Sequence, residues 1–240
     1  MTVLVDEAIW PWRDRRWAHL VSDGSRHELL AFGIGLGLRA GQFQGDHFDI
    51  TAEQRDAAVA AGAVEVAGRD LVRRLRASGL RTSPAQRSER DRPMLLLLNG
   101  PPAAGKSTLA RRYAGERFGV VVVEQDELSG REAALSAIAA TLATGRSVVA
   151  PQYVGRPDAV TAFAGVAGTA RFVHVRLTAP ADVLLARYDA RGPHPVAREG
   201  DGQRTIPHAL TRLASIDARQ VDTSGSVDSA LVALLDALEP

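Results

Sequence analysis

Residues 94–108 read MLLLLNGPPAAGKST, and this stretch decides the fold. The run from Met94 to Leu98 has no polar alternation, the pattern of a strand covered on both faces in a parallel sheet. It stops at Asn99, and GPPAAGKST over 100–108 then matches GxxxxGK[ST] in full, with an apolar strand before it and a helical pattern after it. In such a loop successive backbone N–H groups point inward. They form an anion cradle at a helix N-terminus, where the helix dipole also favours negative charge. The expected nucleotide-binding residues are therefore Gly100, Ala103, Ala104, Gly105, Lys106, Ser107 and Thr108. Gly105 lets the backbone approach the phosphates, Lys106 reaches the outer phosphates, and the Ser107 hydroxyl is placed to ligate Mg2+. Lysine occurs once in the chain, at Lys106, and every other cation is arginine. A compact ammonium kept at this one place has a chemical reason, because a guanidinium does not substitute for a point charge between phosphates.

Outward from the loop, short apolar runs alternate with amphipathic stretches. Strands are expected over 94–99, 119–125, 146–152, 170–177 and 218–223, and helices over 105–118, 131–145, 157–168, 180–192, 207–216 and 227–238. The expected fold is α/β: five parallel strands with helices on both faces, preceded by a small α+β domain. The expected domains are 1–80, a linker over 81–92 that is dense in Arg, Ser and Pro, and 93–240. All three tryptophans lie in the first of these, at positions 10, 12 and 17.

Composition narrows the function. The chain has 240 residues and a net charge of +1, and neither half is basic, so charge gives no case for a nucleic-acid-coating protein. With no cysteine there is no disulfide framework, thiolate zinc site or cysteine nucleophile. No apolar run approaches the roughly 20 residues that span a bilayer, and the first residues, MTVLVDEAIWPWRD, lack a basic export signal. The expectation is a soluble, cytoplasmic protein. A GTPase base-reading motif, Asn-Lys-x-Asp, needs a lysine the chain does not have, and a ring ATPase would want an acidic pair after the third strand, where the sequence is SVVAPQ.

GPPAAGKST, a following strand that ends in an acid, and RLTAPADVLLARYDAR over 176–191 together resemble the small P-loop kinases. That group holds adenylate, gluconate and shikimate kinases, chloramphenicol phosphotransferase, zeta toxins and polynucleotide 5′-hydroxyl kinases. The resemblance implies an acid just past the second strand that faces the acceptor hydroxyl or joins the magnesium shell. In VVVVEQDEL the best match is Asp126, with Glu124 and Glu127 beside it. It further implies arginines that lean on the transferring phosphoryl group: Arg187 or Arg191 on the helix, and Arg198 or Arg204 in a lid over 192–205. Tyr153 and Arg156 border the expected acceptor side. The Asp222–Gly225 turn would lie near the base, although an Asx turn explains it equally well. One departure stands out: the third strand carries no Asp or Glu, and Gln152 sits near the place where relatives have an acid. His174, in mid-strand, reads as a core residue.

The implied activity is Mg2+-dependent transfer of the γ-phosphoryl group of ATP or GTP to a hydroxyl on a small molecule or nucleotide. A polynucleotide 5′-hydroxyl kinase and a nucleotide sensor serving a binding N-terminal domain are the alternatives.

The first eighty residues resemble a small uncharacterised domain of bacteria and phages, through Trp10-Pro11, the His19-Leu-x-x-Asp23 element and the Phe43-x-x-Asp46-His47-Phe48-Asp49 element. That resemblance implies no activity. His19, Asp23, Asp46, His47 and Asp49 could converge as a metal or acid/base site, but caps, turns and a small aromatic core are the simpler expectation. Gly33, Gly35 and Gly37 mimic a dinucleotide fingerprint without the strand-to-helix context that would support it.

Overall fold

The computed structural model describes residues 2–190 and 202–239, and its chain divides into a first unit, Met1–Asp91 with Leu238–Pro240, and a second, Arg92–Ala237. Among the described residues no helix is long and apolar enough to cross a membrane.

The first unit runs β1 (Val3–Val5), β2 (Trp10–Trp12), β3 (Arg15–Ser22), α1 (Arg26–Gly35), β4 (Phe48–Thr51), α2 (Ala52–Ala60), β5 (Val64–Glu65), α3 (Gly68–Ala77) and α4 (Pro84–Asp91). The long strand β3 is the organiser: β1, β2 and β4 all pair with it antiparallel, and β5 adds parallel to β1. Arg13 and Asp14, both at positive φ, make the two-residue turn from β2 to β3. Leu4, Val21, Leu71 and Leu75 pack a small core between β1, β3 and α3.

The segment expected as a linker behaves differently. Ser83 caps α4: its Oγ accepts from Gln86 N–H at 3.2 Å and Gln86 Oε1 accepts from Ser83 N–H at 2.8 Å, a capping box with Pro84 starting the helix. No α4 residue is buried. A helix that is polar all round shows no periodicity in sequence, which is why the stretch read as a tether.

The second unit holds β6 (Met94–Asn99), α5 (Lys106–Gly115), β7 (Val120–Val122), α6 (Arg131–Ala143), β8 (Ser147–Pro151), α7 (Pro157–Ala167), β9 (Arg171–Thr178), α8 (Ala181–Ala190), α9 (Gly202–Ala214), β10 (Arg219–Asp222) and α10 (Val227–Leu238). Its five strands are all parallel, in the order β10-β9-β6-β8-β7. The expected parallel α/β sheet is therefore present. Leu95 and Leu97 pack with Ile138 of α6 and Phe163 of α7 on one face of the sheet. Leu95 to Leu98 are each fully buried, and at about 1.5–3 kcal/mol per buried leucine this strand is the main hydrophobic anchor of the unit.

Strand β6 lies between β8 and β9: the chain leaves it toward β7 on one side, and the later connection from β8 crosses to β9 on the other. The loop after it falls in the crevice at the strands' C-terminal edge, where ligands bind in sheets of this kind. Two boundary shifts bear on the site. Strand β7 ends at Val122, so Glu124 leaves the sheet and the chain turns into a 3₁₀ turn at Gln125–Glu127. Helix α9 begins five residues before Pro207, where the sequence placed its start; buried Ile206 holds the extra turn although Pro207 offers no N–H.

Candidate phosphate-binding and acceptor site

The loop between β6 and α5 is shaped by three positive-φ residues: Gly100 (156°), Ala103 (64°) and Gly105 (81°). A Cβ on Gly100 would stand 3.0 Å from the Leu177 carbonyl oxygen, so only glycine lets the loop leave β6 this close to β9. Gly105, left-handed at the N-cap of α5, turns the chain into the helix without a side-chain cap. The first N–H groups of α5 receive no side-chain cap from Gly105 and lie where helix N-termini meet anions. Lys106 folds back over the loop and donates Nζ–H to the carbonyls of Gly100 (3.1 Å) and Pro101 (2.9 Å).

Ser107, on the first turn of α5, donates Oγ–H to Glu124 Oε2 at 2.9 Å. Arg111, one turn further along the same helix face, donates to Glu124 Oε1 at 2.6 Å. Of the three acids expected near this place, Glu124 is thus the one at Ser107, whereas Asp126 and Glu127 are exposed in the 3₁₀ turn. The hydroxyl and carboxylate form a hard oxygen donor set that fits Mg2+. Thr108, in the first turn of α5, is exposed.

Sequence reasoning missed Asn99. It is fully buried. Its Oδ1 accepts from Gly100 N–H (2.8 Å) and Val154 N–H (2.9 Å), while Nδ2 donates to the Val154 carbonyl (2.9 Å) and to His174 Nε2 (3.2 Å). One side chain therefore ties the start of the phosphate loop to the segment after β8. The only available signal was an amide ending an apolar strand directly before the motif.

That segment after β8 borders a cleft of about 550 Å³ lined by Gln125, Arg131, Tyr153, Val154, Gly155, Arg156, Ala159, Phe163, His208 and Arg212. Tyr153 and Arg156 both line this cleft. Gly155 matters sterically, because a Cβ there would meet the Tyr153 hydroxyl at 2.7 Å and Arg212 Nε at 3.1 Å. Burial raises the Tyr153 phenol, with the Arg212 charge opposing. Arg156 is paired with Asp158 at 2.6 Å. Gln152, in the place of the missing strand acid, is buried and its Nε2 meets no partner among the described residues.

Arg187 is engaged with the turn after β10: its Nη2 donates to the carbonyls of Thr223 (2.7 Å) and Ser224 (3.3 Å). The turn itself is an Asx turn, with Ser224 N–H donating to Asp222 Oδ1 at 2.9 Å. Arg191 and Arg198 lie outside the described residues, as does most of the expected lid, and Arg204 is exposed on α9.

In the first unit, four of the five polar residues singled out come together and one does not. Asp23 accepts from Thr2 N–H (3.0 Å) and pairs with Arg74. Asp6, which the sequence did not suggest, takes its place: Asp6 Oδ2 lies 2.9 Å from His19 Nδ1. Asp46 Oδ1 lies 2.6 Å from His47 Nδ1, and Asp49 Oδ1 lies 3.4 Å from His47 Nε2. Burial opposes charge on His47, but its bonds to Asp46 and Asp49 outweigh this and raise it to about 9. Gly33 and Gly35 belong to α1 and Gly37 follows it at φ 78°, so the glycine pattern is a helix and its exit.

Comparison with known proteins finds two separate family matches. Residues 3–78 match the model described as a protein of unknown function (DUF4031), and residues 95–206 match the one described as an AAA domain. No protein of curated function matches in sequence. Among solved structures, a gluconokinase from Sinorhizobium meliloti 1021 is 19% identical, over 62% of this chain and 93% of that one, with a TM-score of 0.48. The Deinococcus radiodurans tunicamycin resistance protein is 18% identical over 60% of this chain and 93% of that one, with a TM-score of 0.45. A chain of the Pnkp1/Rnl/Hen1 RNA repair complex is 17% identical over 53% of this chain and 47% of that one, with a TM-score of 0.41. The AAA domain match lies in the second unit and the DUF4031 match in the first.

Proposed function

We propose that the second unit is a phosphotransferase that moves the γ-phosphoryl group of a nucleoside triphosphate to a hydroxyl on a small molecule or nucleotide. The observation that carries this reading is the junction between the phosphate loop and the cleft. Val154 lines the cleft and is bonded through both backbone groups to Asn99, and Gln125 lines it one residue past Glu124. A sensor needs only the cradle; a transferase needs an acceptor space beside it, in line with the terminal phosphate.

The loop amides and Lys106 would bind and orient the phosphates. Ser107 and Glu124 would hold Mg2+, which when bound neutralises charge on the outer phosphates. Asp126, exposed next to Gln125, is the group proposed to take the acceptor hydroxyl proton. Arg131, Arg212 and His208 on the cleft wall favour an acceptor with an anionic group of its own, and Tyr153 and Phe163 offer it a ring surface. Arg187, occupied by the Thr223 and Ser224 carbonyls, fits a role in shaping the site better than one on the phosphoryl group.

The test is transfer of label from [γ-32P]ATP or GTP into sugars, sugar acids, nucleosides, nucleotides, antibiotics and 5′-hydroxyl oligonucleotides. Labelled acceptor, lost in Lys106→Ala, is the expected result; release of free phosphate alone across the whole panel overturns the reading. Labelling of oligonucleotides alone would make the enzyme a polynucleotide kinase.

A further inference from the structure

The first unit contains a site that the phosphotransferase reading does not use. We propose that His19 Nε2, His47 Nε2 and the Asp49 carboxylate bind a first-row divalent transition ion, with Zn2+ the best-suited probe, and that Asp6 and Asp46 orient the two imidazoles.

The sheet brings the three ligands together. His19 on β3 and Asp49 on β4 are antiparallel register partners, so their side chains stand side by side on one face. His47 lies two residues before Asp49 in extended chain and projects to the same side. The three ligand atoms lie within 4.8 Å of one another. His47 Nε2 is 3.4 Å and His19 Nε2 3.9 Å from the same Asp49 oxygen. Ligands about 2.0–2.1 Å from a tetrahedral ion stand roughly 3.3–3.4 Å apart, so both edges to Asp49 lie within about 0.6 Å of that spacing.

The surrounding carboxylates make this more than a chance meeting of polar groups. Each imidazole has its Nδ1 directed at an aspartate that the fold itself immobilises. Asp6 Oδ1 accepts from the His19 backbone N–H at 2.6 Å, and Asp46 Oδ2 accepts from Thr82 N–H at 2.8 Å. Both aspartates are buried. Each ring directs Nδ1 at a fixed carboxylate and Nε2 toward Asp49, the arrangement that raises the basicity of a ligating imidazole and fixes its angle, and a divalent ion binding there would displace the proton that His47 shares with Asp49. An imidazole serving structure alone needs one such partner; here both ring nitrogens of both histidines face carboxylates.

Two nitrogens and one oxygen suit zinc and its first-row neighbours better than Mg2+ or Ca2+. The His47 side chain is 15% exposed, His19 34% and Asp49 45%, so the site opens on the Asp49 side. Three protein ligands with an open side match catalytic rather than structural metal sites, in which water or substrate takes the remaining position. Trp10 stands edge-on to His19 with ring centroids 6.0 Å apart and is itself exposed, giving the opening an apolar rim. A substrate with a planar ring fits that rim.

The experiment uses the full chain. After exposure to excess Zn2+ and gel filtration, elemental analysis should find one equivalent per chain, and Co2+ in place of Zn2+ should give the visible absorption of a four- or five-coordinate ion. Asp49→Asn, at a partly exposed side chain, should weaken Zn2+ binding at least tenfold in calorimetry while the metal-free melting temperature stays within about 2 °C of the parent. Asp46→Asn and Asp6→Asn should weaken it about 10–100-fold. Ser107→Ala should leave the stoichiometry at one, which separates this ion from the phosphate loop and this inference from the phosphotransferase reading. Absence of retained Zn2+, or binding unchanged in both Asp49→Asn and His19→Gln, overturns the proposal.

Discussion

Asn99 on β6 donates from Nδ2 to His174 Nε2 on the neighbouring strand β9, at 3.2 Å, which requires the imidazole to be neutral and to carry its proton on Nδ1. The amide orientation is settled by its other partners, since Oδ1 already accepts two backbone N–H groups. The phosphate loop thus begins on a bond that acid removes.

Burial pushes the His174 imidazole below its ordinary 6.5, and the Arg176 charge adds to this against a hydrogen bond to the Asp217 backbone. Because the folded value lies below the unfolded one, the unfolded chain binds more protons in acid. The contribution is fully present above about 6.5 and is lost as pH falls through the folded value. Urea midpoints at pH 7.5, 6.5 and 5.5 should fall below 6.5. His174→Gln, whose Oε1 can accept from Asn99, should flatten that fall; an identical fall in the variant would refute the assignment.

Asn99→Ala would strand the Gly100 and Val154 N–H groups and the Val154 carbonyl in a buried place. At about 1–3 kcal/mol per buried group left unpaired, the loss should be at least about 3 kcal/mol. Denaturant unfolding measures it, and nucleotide affinity should drop in parallel because the loop loses its anchor.

Glu124 and Asp126 should separate in titration and turnover. Glu124→Gln removes the charge beside Ser107, so the Mg2+ dependence of nucleotide binding should weaken along with the rate. Asp126→Asn should leave nucleotide affinity within about twofold and lower transfer about 10²–10⁴-fold, the usual yield of a general base. Reversed behaviour of the two variants would exchange their assignments.

Gly33 and Gly35 lie on the same helix with opposite expectations. A Cβ at Gly33 would stand 2.6 Å from the ring of buried Phe48, whereas nothing lies within 4 Å of one at Gly35. Gly33→Ala should cost about 1–3 kcal/mol through overpacking. Gly35→Ala should gain about 0.4–1 kcal/mol by limiting the unfolded chain. Thermal melts of the two variants, compared directly, decide it.

What the sequence determined by itself was everything encoded within a few residues. The unbroken apolar run 94–98 can only be satisfied inside a covered sheet, and the loop that follows binds through its own backbone, so its signature is local. Alternation of strand and helix patterns likewise led to the five-stranded parallel sheet. Tertiary structure decided which side chains meet. Glu124 rather than Asp126 reaches Ser107 because β7 stops at Val122, and a small change in where a strand ends redirects the side chains beyond it. Asn99 became the hinge of the site through partners 55 and 75 residues away. His19, His47 and Asp49 share a face only through the pairing of β3 with β4, and Asp6 joins them because β1 also lies against β3. Helix α4 escaped notice because a capping box, with no apolar face, starts it. Backbone motifs announce themselves along the chain; convergent side chains depend on strand register, which is set by packing across the whole unit.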